Sequence, residues 1–361
     1  MNKYKTSRWR LTILSESHLI CILNRIRRRP DILNYNGYFK LAHVKELSEN
    51  GRYRSFEIPK KRGGKRVIFS PERNLAFLQY CIAVLINSIY KPNACVHGFT
   101  NGKSIVSNAL AHVNQDIVYN IDLQDFFSSI SYETIIEKLI RQPYYFSYRA
   151  AKLIAMIVTV NTETGQRVLP QGAPSSPIFT NIVADHMDVR LQKLSEKYGM
   201  TYTRYADDIT LSFDKKALCR WSSHGLFKGL KDIIEDIIQT EGFKINKKKT
   251  RISFPNQRHE VTGLIVSGKV NVRREYIKRL RTEIHNWEKD GYVIASYKFF
   301  NVNRKGSDKN LIIHPMQNVI EGKLSYLRMV KGPNDSTYLK LKLRFLALIK
   351  RDKQFLVFPH Y

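Results

Sequence analysis

Acidic side chains are scarce in this sequence. Its 31 Asp and Glu face 60 Lys and Arg, and the resulting formal net charge of +29 is too large to serve solubility alone. An excess of that size predicts a polyanionic partner, with nucleic acid first and a membrane surface second. Cysteine is scarce as well. Cys21, Cys81, Cys95 and Cys219 lie far apart with no CxxC pair, which argues against a disulfide framework or a zinc site and fits a reducing, cytoplasmic setting. No apolar run approaches the roughly 18–20 residues that cross a bilayer. The opening MNKYKTSRWRLTILSESHLI has its apolar stretches broken by Ser, Glu and His, so it does not read as a signal peptide, and no membrane partner is expected. There is no repeat of fixed period and no low-complexity tract. What remains is a chain of 361 residues, 43% of them hydrophobic, enough for a buried core and two or three small lobes.

Local patterns divide the chain. Residues 1–50 carry Leu11, Leu14, Leu19, Ile20 and Leu23 at helical spacing and read as a basic helical region. Residues 51–72 contain YRSFEIPKKRGGKRVIFSP, two β-rich runs around a Lys/Arg/Gly turn, which predicts a hairpin with a basic tip. A helix follows over 73–91, with Leu75, Leu78, Ile82 and Leu85 on one face. VYNIDLQDFFSSI (118–130) predicts a buried strand with an acidic end, and helical pattern continues from about 131 to 158. LPQGAPSSPIFTNIVADHMDVRL (169–191) starts turn-rich and runs into a helix, and its Ala173, Ser175 and Ser176 leave room for another chain to approach. TYTRYADDITLSF (201–213) alternates on both sides of an acidic pair, as a β-hairpin does with Ala206-Asp207-Asp208 at its turn. A helix near 224–239, a basic stretch INKKKTRISF (245–254) and two short strands in VTGLIVSGKVNV (261–272) come next. From 273 the chain turns to basic helices, with stripes at Tyr276, Leu280, Ile284 and Trp287, at Ile320, Leu324, Leu327 and Val330, and at Tyr338, Leu341, Phe345 and Leu348. NRKGSDKNLIIHP (303–315) is the expected long loop among them.

Asp122 ends an apolar strand, and Asp207 and Asp208 sit in the expected hairpin turn. Carboxylates brought together repel one another and need a cation. Oxygen ligands select hard ions such as Mg²⁺, and two ions about 3.5–4 Å apart clamp the attacking and leaving oxygens of a phosphoryl transfer. An isolated Asp-Asp pair is more often a solvated turn; the surrounding boxes give this one its meaning.

Those boxes resemble the reverse transcriptases. YADD at 205–208 is similar to the family's metal-binding box, NIDLQDFF at 120–127 to its first aspartate box, and LPQGAPSSP at 169–177 to its template-and-nucleotide box, in the family's order. The resemblance covers roughly residues 50–330. It implies an α+β right-hand polymerase fold: a basic helical region (1–50), the first part of the fingers (51–117), an antiparallel-sheet palm with inserted fingers elements (118–272), and a helical thumb with the C-terminal end (273–361). It implies that Asp122, Asp207 and Asp208 hold two Mg²⁺, with Mn²⁺ as a substitute. It further implies nucleotide contacts from Asp125, Phe127, Gln171, Gly172 and Lys249, with Phe127 as the ring that excludes a 2′-hydroxyl and Lys249 beside the leaving pyrophosphate. Lys65 and Arg66 resemble the fingertip cations that hold the triphosphate, with the register among Lys60, Lys61, Arg62, Lys65 and Arg66 left open.

Two further boxes resemble the bacterial retron enzymes. N-A-x-x-H occurs at Asn108–His112 and also, by letter, at Asn93–His97; the position of the later copy matches the family better. Val261-Thr262-Gly263 matches the V-T-G box. RNA template or primer contacts are therefore expected from Asn108, His112, Val261, Thr262 and Gly263, and from the thumb cations Lys323, Arg328 and Lys331. The resemblance implies dNTPs, a cognate noncoding RNA and a branched RNA–DNA product (msDNA) as partners, together with an effector, toxin or nuclease, in defence against phage. The alternatives are an intron maturase, a diversity-generating or abortive-infection enzyme, or an inactive RNA-binding relative. The short stretch after residue 332 leaves little room for the extra domain of a maturase, and the intact aspartates argue against an inactive relative.

Overall fold

A computed structural model of the chain describes residues 13–29, 32, 38–50, 52–60, 63–214, 226–304 and 315–355. Lys61, Arg62, Cys219 and most of the expected 303–315 loop lie outside the described residues. The chain forms two compact units, Met1–Lys103 with Tyr119–Ile252, and Ser104–Val118 with Ser253–Tyr361.

The first unit is built on a sheet whose strands follow the alternation of the sequence. These are β3 (Ile117–Gln124), β6 (Thr201–Tyr205), β7 (Asp208–Phe213), β8 (Lys244–Ile245) and β9 (Arg251–Ser253), in the order β6-β7-β3-β8 with β9 also on β3. Strands β6 and β7 are antiparallel, with Tyr205 opposite Asp208. Helix α7 (Ser176–Tyr198), buried along most of its circumference, packs on β6, and α8 (Leu226–Thr240) packs on β8. Helices α3 (Arg73–Ile89) and α5 (Tyr132–Ile140) each pack against α6 (Tyr148–Val158) and against α7 through their apolar faces. Leu78, Ile82, Ile154, Phe179, Ile209 and Leu211 are buried there, each contributing about 1.5–3 kcal/mol by leaving water. The basic hairpin is β1 (Tyr53–Pro59) with β2 (Lys65–Pro71), paired from Tyr53↔Pro71 to Pro59↔Lys65. The two-stranded β4 (Val160–Asn161) and β5 (Arg167–Val168), with α1 (Glu16–Arg27) and α2 (Leu41–Asn50), complete the unit. The helical stretch expected over 131–158 is two helices, because Pro143 falls between them and cannot donate a helix hydrogen bond.

The second unit gathers α4 (Ile105–Leu110), β10 (Glu260–Val261), β11 (Leu264–Ile265), α9 (Arg274–Arg304, kinked at Gly291), α10 (Met316–Lys331) and α11 (Ser336–Arg351). Its core joins Ala109, Val118, Val261 and Leu264 to Trp287, Ile320, Leu327 and Phe345. Residues 104–118 and 253–272, read from the sequence with the fingers and palm, are thus grouped with the helices from 273 onward, because their apolar side chains are buried among those helices. The three expected apolar stripes are buried here, except that Tyr276 is half-buried against the core. No helix among the described residues is long and apolar enough to cross a membrane.

Candidate functional site

The β6–β7 turn and the end of β3 come together at one edge of the sheet. The Leu123 amide donates to the Asp207 carbonyl at 2.9 Å, which sets the turn beside Asp122. Ala206 takes a left-handed φ of 56° to make the turn. Lys249 approaches from the loop after β8, its Nζ 2.8 and 3.1 Å from the two carboxylate oxygens of Asp122.

The electrostatics record the crowding. Surrounding protein raises the Asp207 carboxyl above its usual range, Asp122 adds to this, and Lys249 and Arg66 oppose it. The Asp208 carboxyl is pushed up to about 6 by desolvation first and then by the charges of Asp207 and Asp122. Asp208 keeps a solvent-exposed edge, which moderates the desolvation and leaves the repulsion from Asp207 and Asp122 a substantial share. All-oxygen donors that repel one another suit a hard divalent cation. Among the described residues no group of three or more His, Cys, Asp or Glu side chains is gathered tightly enough to hold a metal; Asp122 gives both oxygens to Lys249 instead.

The nucleotide-box residues surround this edge in part. The Phe69 amide donates to the Gln171 carbonyl at 2.8 Å, tying β2 to the LPQG loop. Gly172, at φ 116°, leaves no room for a side chain: a Cβ there meets Ile68 at 2.8 Å and the Phe69 carbonyl oxygen at 2.9 Å. Alternate residues of a strand share a face, so Arg66 is on the face of Ile68 that meets this loop. Lys65 is on the other face, 2.5 Å from Glu57. Of the described fingertip cations Lys60, Lys65 and Arg66, Arg66 is the one electrostatically coupled to Asp207. Asp125 is exposed with φ 49°. Phe126 is core at 2% exposure and Phe127 is half-buried beside it, with ring centroids 5.9 Å apart.

The expected RNA contacts divide. Asn108, His112 and Val261 are all 0% exposed, so their side chains are not available for direct contact; α4 packs on β10 and β11 and encloses them. The Asn108 amide is hydrogen-bonded at neither Nδ2 nor Oδ1. The V-T-G turn has Thr262 at φ 46° and Gly263 at φ 80°; Gly263 is exposed, whereas Thr262 is half-buried and its hydroxyl donates to the Ile105 carbonyl at 3.4 Å. Lys323 pairs with Glu283 at 2.5 Å and Lys331 with Asp335 at 3.1 Å, whereas Arg328 is exposed. Two of the three thumb cations are therefore already neutralised within the protein.

Sequence reasoning missed what braces the acidic turn. Arg204 on β6 is fully buried and bidentate to Asp188 on α7, at 2.8 and 2.6 Å. Its other nitrogen donates to the Ala206 carbonyl at 3.1 Å and to Asn181 at 3.2 Å, and Tyr202 donates to Asp188 at 2.6 Å. Residues 95–98 run alongside: Arg204 N donates to the Cys95 carbonyl and His97 N to the Arg204 carbonyl, at 2.9 and 2.8 Å. The earlier N-A-x-x-H copy therefore leads to Gly98, where a Cβ stands 2.3 Å from the Ala206 nitrogen. The available signal was the placement of Asn181 and Asp188 seven residues apart on one face of α7.

Strand, hairpin and aspartate boxes define the palm of a template-copying polymerase, and the chain belongs to the reverse transcriptase family. Residues 58–267 match the family model described as Reverse transcriptase (RNA-dependent DNA polymerase). The relatives put it in the retron branch. It is 36% identical to the retron Ec86 reverse transcriptase of Escherichia coli over 65% of this chain and 70% of that one. It is 30% identical to the Ec73 enzyme of the same organism over 74% and 91%. It is 34% identical to the retron Mx162 reverse transcriptase of Myxococcus xanthus over 69% of this chain, and it spans only 55% of that relative's length.

Proposed function

We propose that this chain is an RNA-directed DNA polymerase that copies part of a structured noncoding RNA into a branched msDNA. The observation that carries the reading is the meeting of Asp122 with Asp207 and Asp208 at one sheet edge, with Lys249 and Arg66 as the cations coupled to it. The retron relatives support the RNA template, and the +29 charge supports a polyanionic partner.

In this reading Asp122, Asp207 and Asp208 would hold two Mg²⁺ once Lys249 releases Asp122, and those ions would lower the charge barrier to phosphoryl transfer. The protein's own part is placement and charge stabilisation. The Gln171–Gly172 backbone lies beside the incoming dNTP, and the missing side chain at Gly172 lets β2 pack against it. Arg66 meets the triphosphate. Phe127 lies against the sugar. Lys249 leaves Asp122 to neutralise the departing pyrophosphate. Gly263 and Arg328 are the exposed RNA-facing groups, with half-buried Thr262 beside Gly263 and with Asn108, His112 and Val261 positioning the turn from beneath. An effector protein and a role in phage defence belong to the same reading.

Sequencing the nucleic acid that copurifies with the protein tests it. A single-stranded DNA joined to one RNA species, complementary to part of that RNA, is expected. Copurified RNA without attached DNA, from active protein in its own host, contradicts the retron assignment.

A further inference from the structure

Two residues near the site take a left-handed backbone that side chains rarely adopt, besides Ala206 in the acidic turn itself: Phe99 at φ 57° and Asp125 at φ 49°. For a bulky aromatic residue this conformation is strained. Phe99 also leaves its ring 43% exposed, so burial does not explain the strain. Such strain is retained where function needs it.

The neighbours of Phe99 indicate what it does. Its ring stands edge-on to Phe127, with centroids 6.4 Å apart and planes at 65°. On its other side Phe127 meets Phe126, which is locked in the core against Phe243 at 5.3 Å. Phe127 is thus held between one core ring and one surface ring. Phe99 is itself fixed by its chain neighbours. Gly98 abuts the acidic turn, its carbonyl accepts from Asn181 Nδ2 at 3.0 Å, and its amide donates to the Arg204 carbonyl at 3.3 Å. One short segment therefore touches both the aspartate turn and Phe127.

We propose that Phe99 is a positioning residue for sugar selection, holding the Phe127 ring at the angle that rejects a 2′-hydroxyl. This rests on the reading that Phe127 faces the nucleotide sugar. The test is the ratio of kcat/KM for dNTP over NTP on an RNA template, measured for Phe99→Ala, Phe99→Tyr, Phe127→Ala and the double variant Phe99→Ala/Phe127→Ala. Phe99→Ala is expected to lower the ratio by about 3–10-fold, the worth of one edge-to-face ring contact expressed as a rate. Phe99→Tyr retains the ring and should retain the ratio. The double variant should match Phe127→Ala alone, since the two rings act as one unit. Phe99→Gly removes the ring while relieving the backbone, and it supplies the same comparison if the alanine variant folds poorly. An unchanged ratio in folded Phe99→Ala or Phe99→Gly, or losses that multiply in the double variant, overturns the proposal. If Phe127→Ala itself retains full discrimination, the sugar-gate reading falls and this proposal with it. If Phe127→Ala loses discrimination and the Phe99 variants do not, only the role of Phe99 falls.

Discussion

Lys249 holds both carboxylate oxygens of Asp122, at 2.8 and 3.1 Å, although the two residues come from opposite ends of the first unit's sheet-forming sequence. A carboxylate so engaged cannot also give both oxygens to a divalent ion. Lys249→Met should therefore let the nucleotide-free protein bind Mn²⁺ ~3–10-fold more tightly, since a nearby competing charge is gone. It should also slow single-turnover dNTP addition by ~100-fold, the scale of a lost charge-stabilising group. Mn²⁺ titration followed by electron paramagnetic resonance, with rapid-quench kinetics, checks both; unchanged affinity and rate contradict the exchange.

The carboxylate cluster costs stability at neutral pH. Asp208 has its folded-state pKa raised to about 6, against about 3.9 unfolded. The folded state thus binds the extra proton between those values, and the contribution is fully present below pH ~4 and lost as pH rises through about 6. Asp208→Asn should raise the melting temperature of metal-free protein at pH 7–8 by a few degrees, with the gain vanishing near pH 4, while abolishing DNA synthesis. Melting curves across pH check this; a variant no more stable at pH 7 than at pH 4 counts against the assigned repulsion.

Arg204 and Asp188 form a fully buried, bidentate pair beneath the acidic turn. Removing one partner strands the other charge, so Arg204→Met and Asp188→Asn should each cost about 3–5 kcal/mol. Urea unfolding measures the loss. A cost under 1 kcal/mol for both contradicts the bracing role.

Two glycine substitutions should have opposite signs. Gly98→Ala forces a Cβ to within 2.3 Å of the Ala206 nitrogen, and overpacking of that kind costs about 1–3 kcal/mol; it should displace the turn and reduce dNTP incorporation. Gly322→Ala, inside α10 with nothing within 4 Å of the new Cβ, should stabilise by about 0.5–1 kcal/mol. Equal effects on melting contradict the close approach at Gly98.

The acidic hairpin was legible because period-2 alternation brackets Asp207 and Asp208, and β3 because its apolar run ends at an acid. The thumb stripes were legible from helical spacing. What could not be read depends on partners distant in sequence. Lys323 and Lys331 look like free cations until Glu283 and Asp335 are seen beside them. Asn108 and His112 match a recognition box by letter, but a letter does not say whether the side chain faces solvent, and both face the core. Nothing in the alternation of TYTRYADDITLSF marks Arg204 as buried; only its pairing with Asp188 across the helix–sheet layer explains its burial. Residues 104–118 join the helices from 273 onward through apolar contacts that linear order conceals.

The central claim is that Asp122, Asp207 and Asp208 work together as the catalytic site of an RNA-copying DNA polymerase. Purified protein given an RNA template, an annealed primer, dNTPs and Mg²⁺ should extend the primer, and Asp122→Asn and Asp207→Asn should each reduce extension to background while remaining folded. Extension by Asp207→Asn equal to that of the unaltered chain would contradict the account.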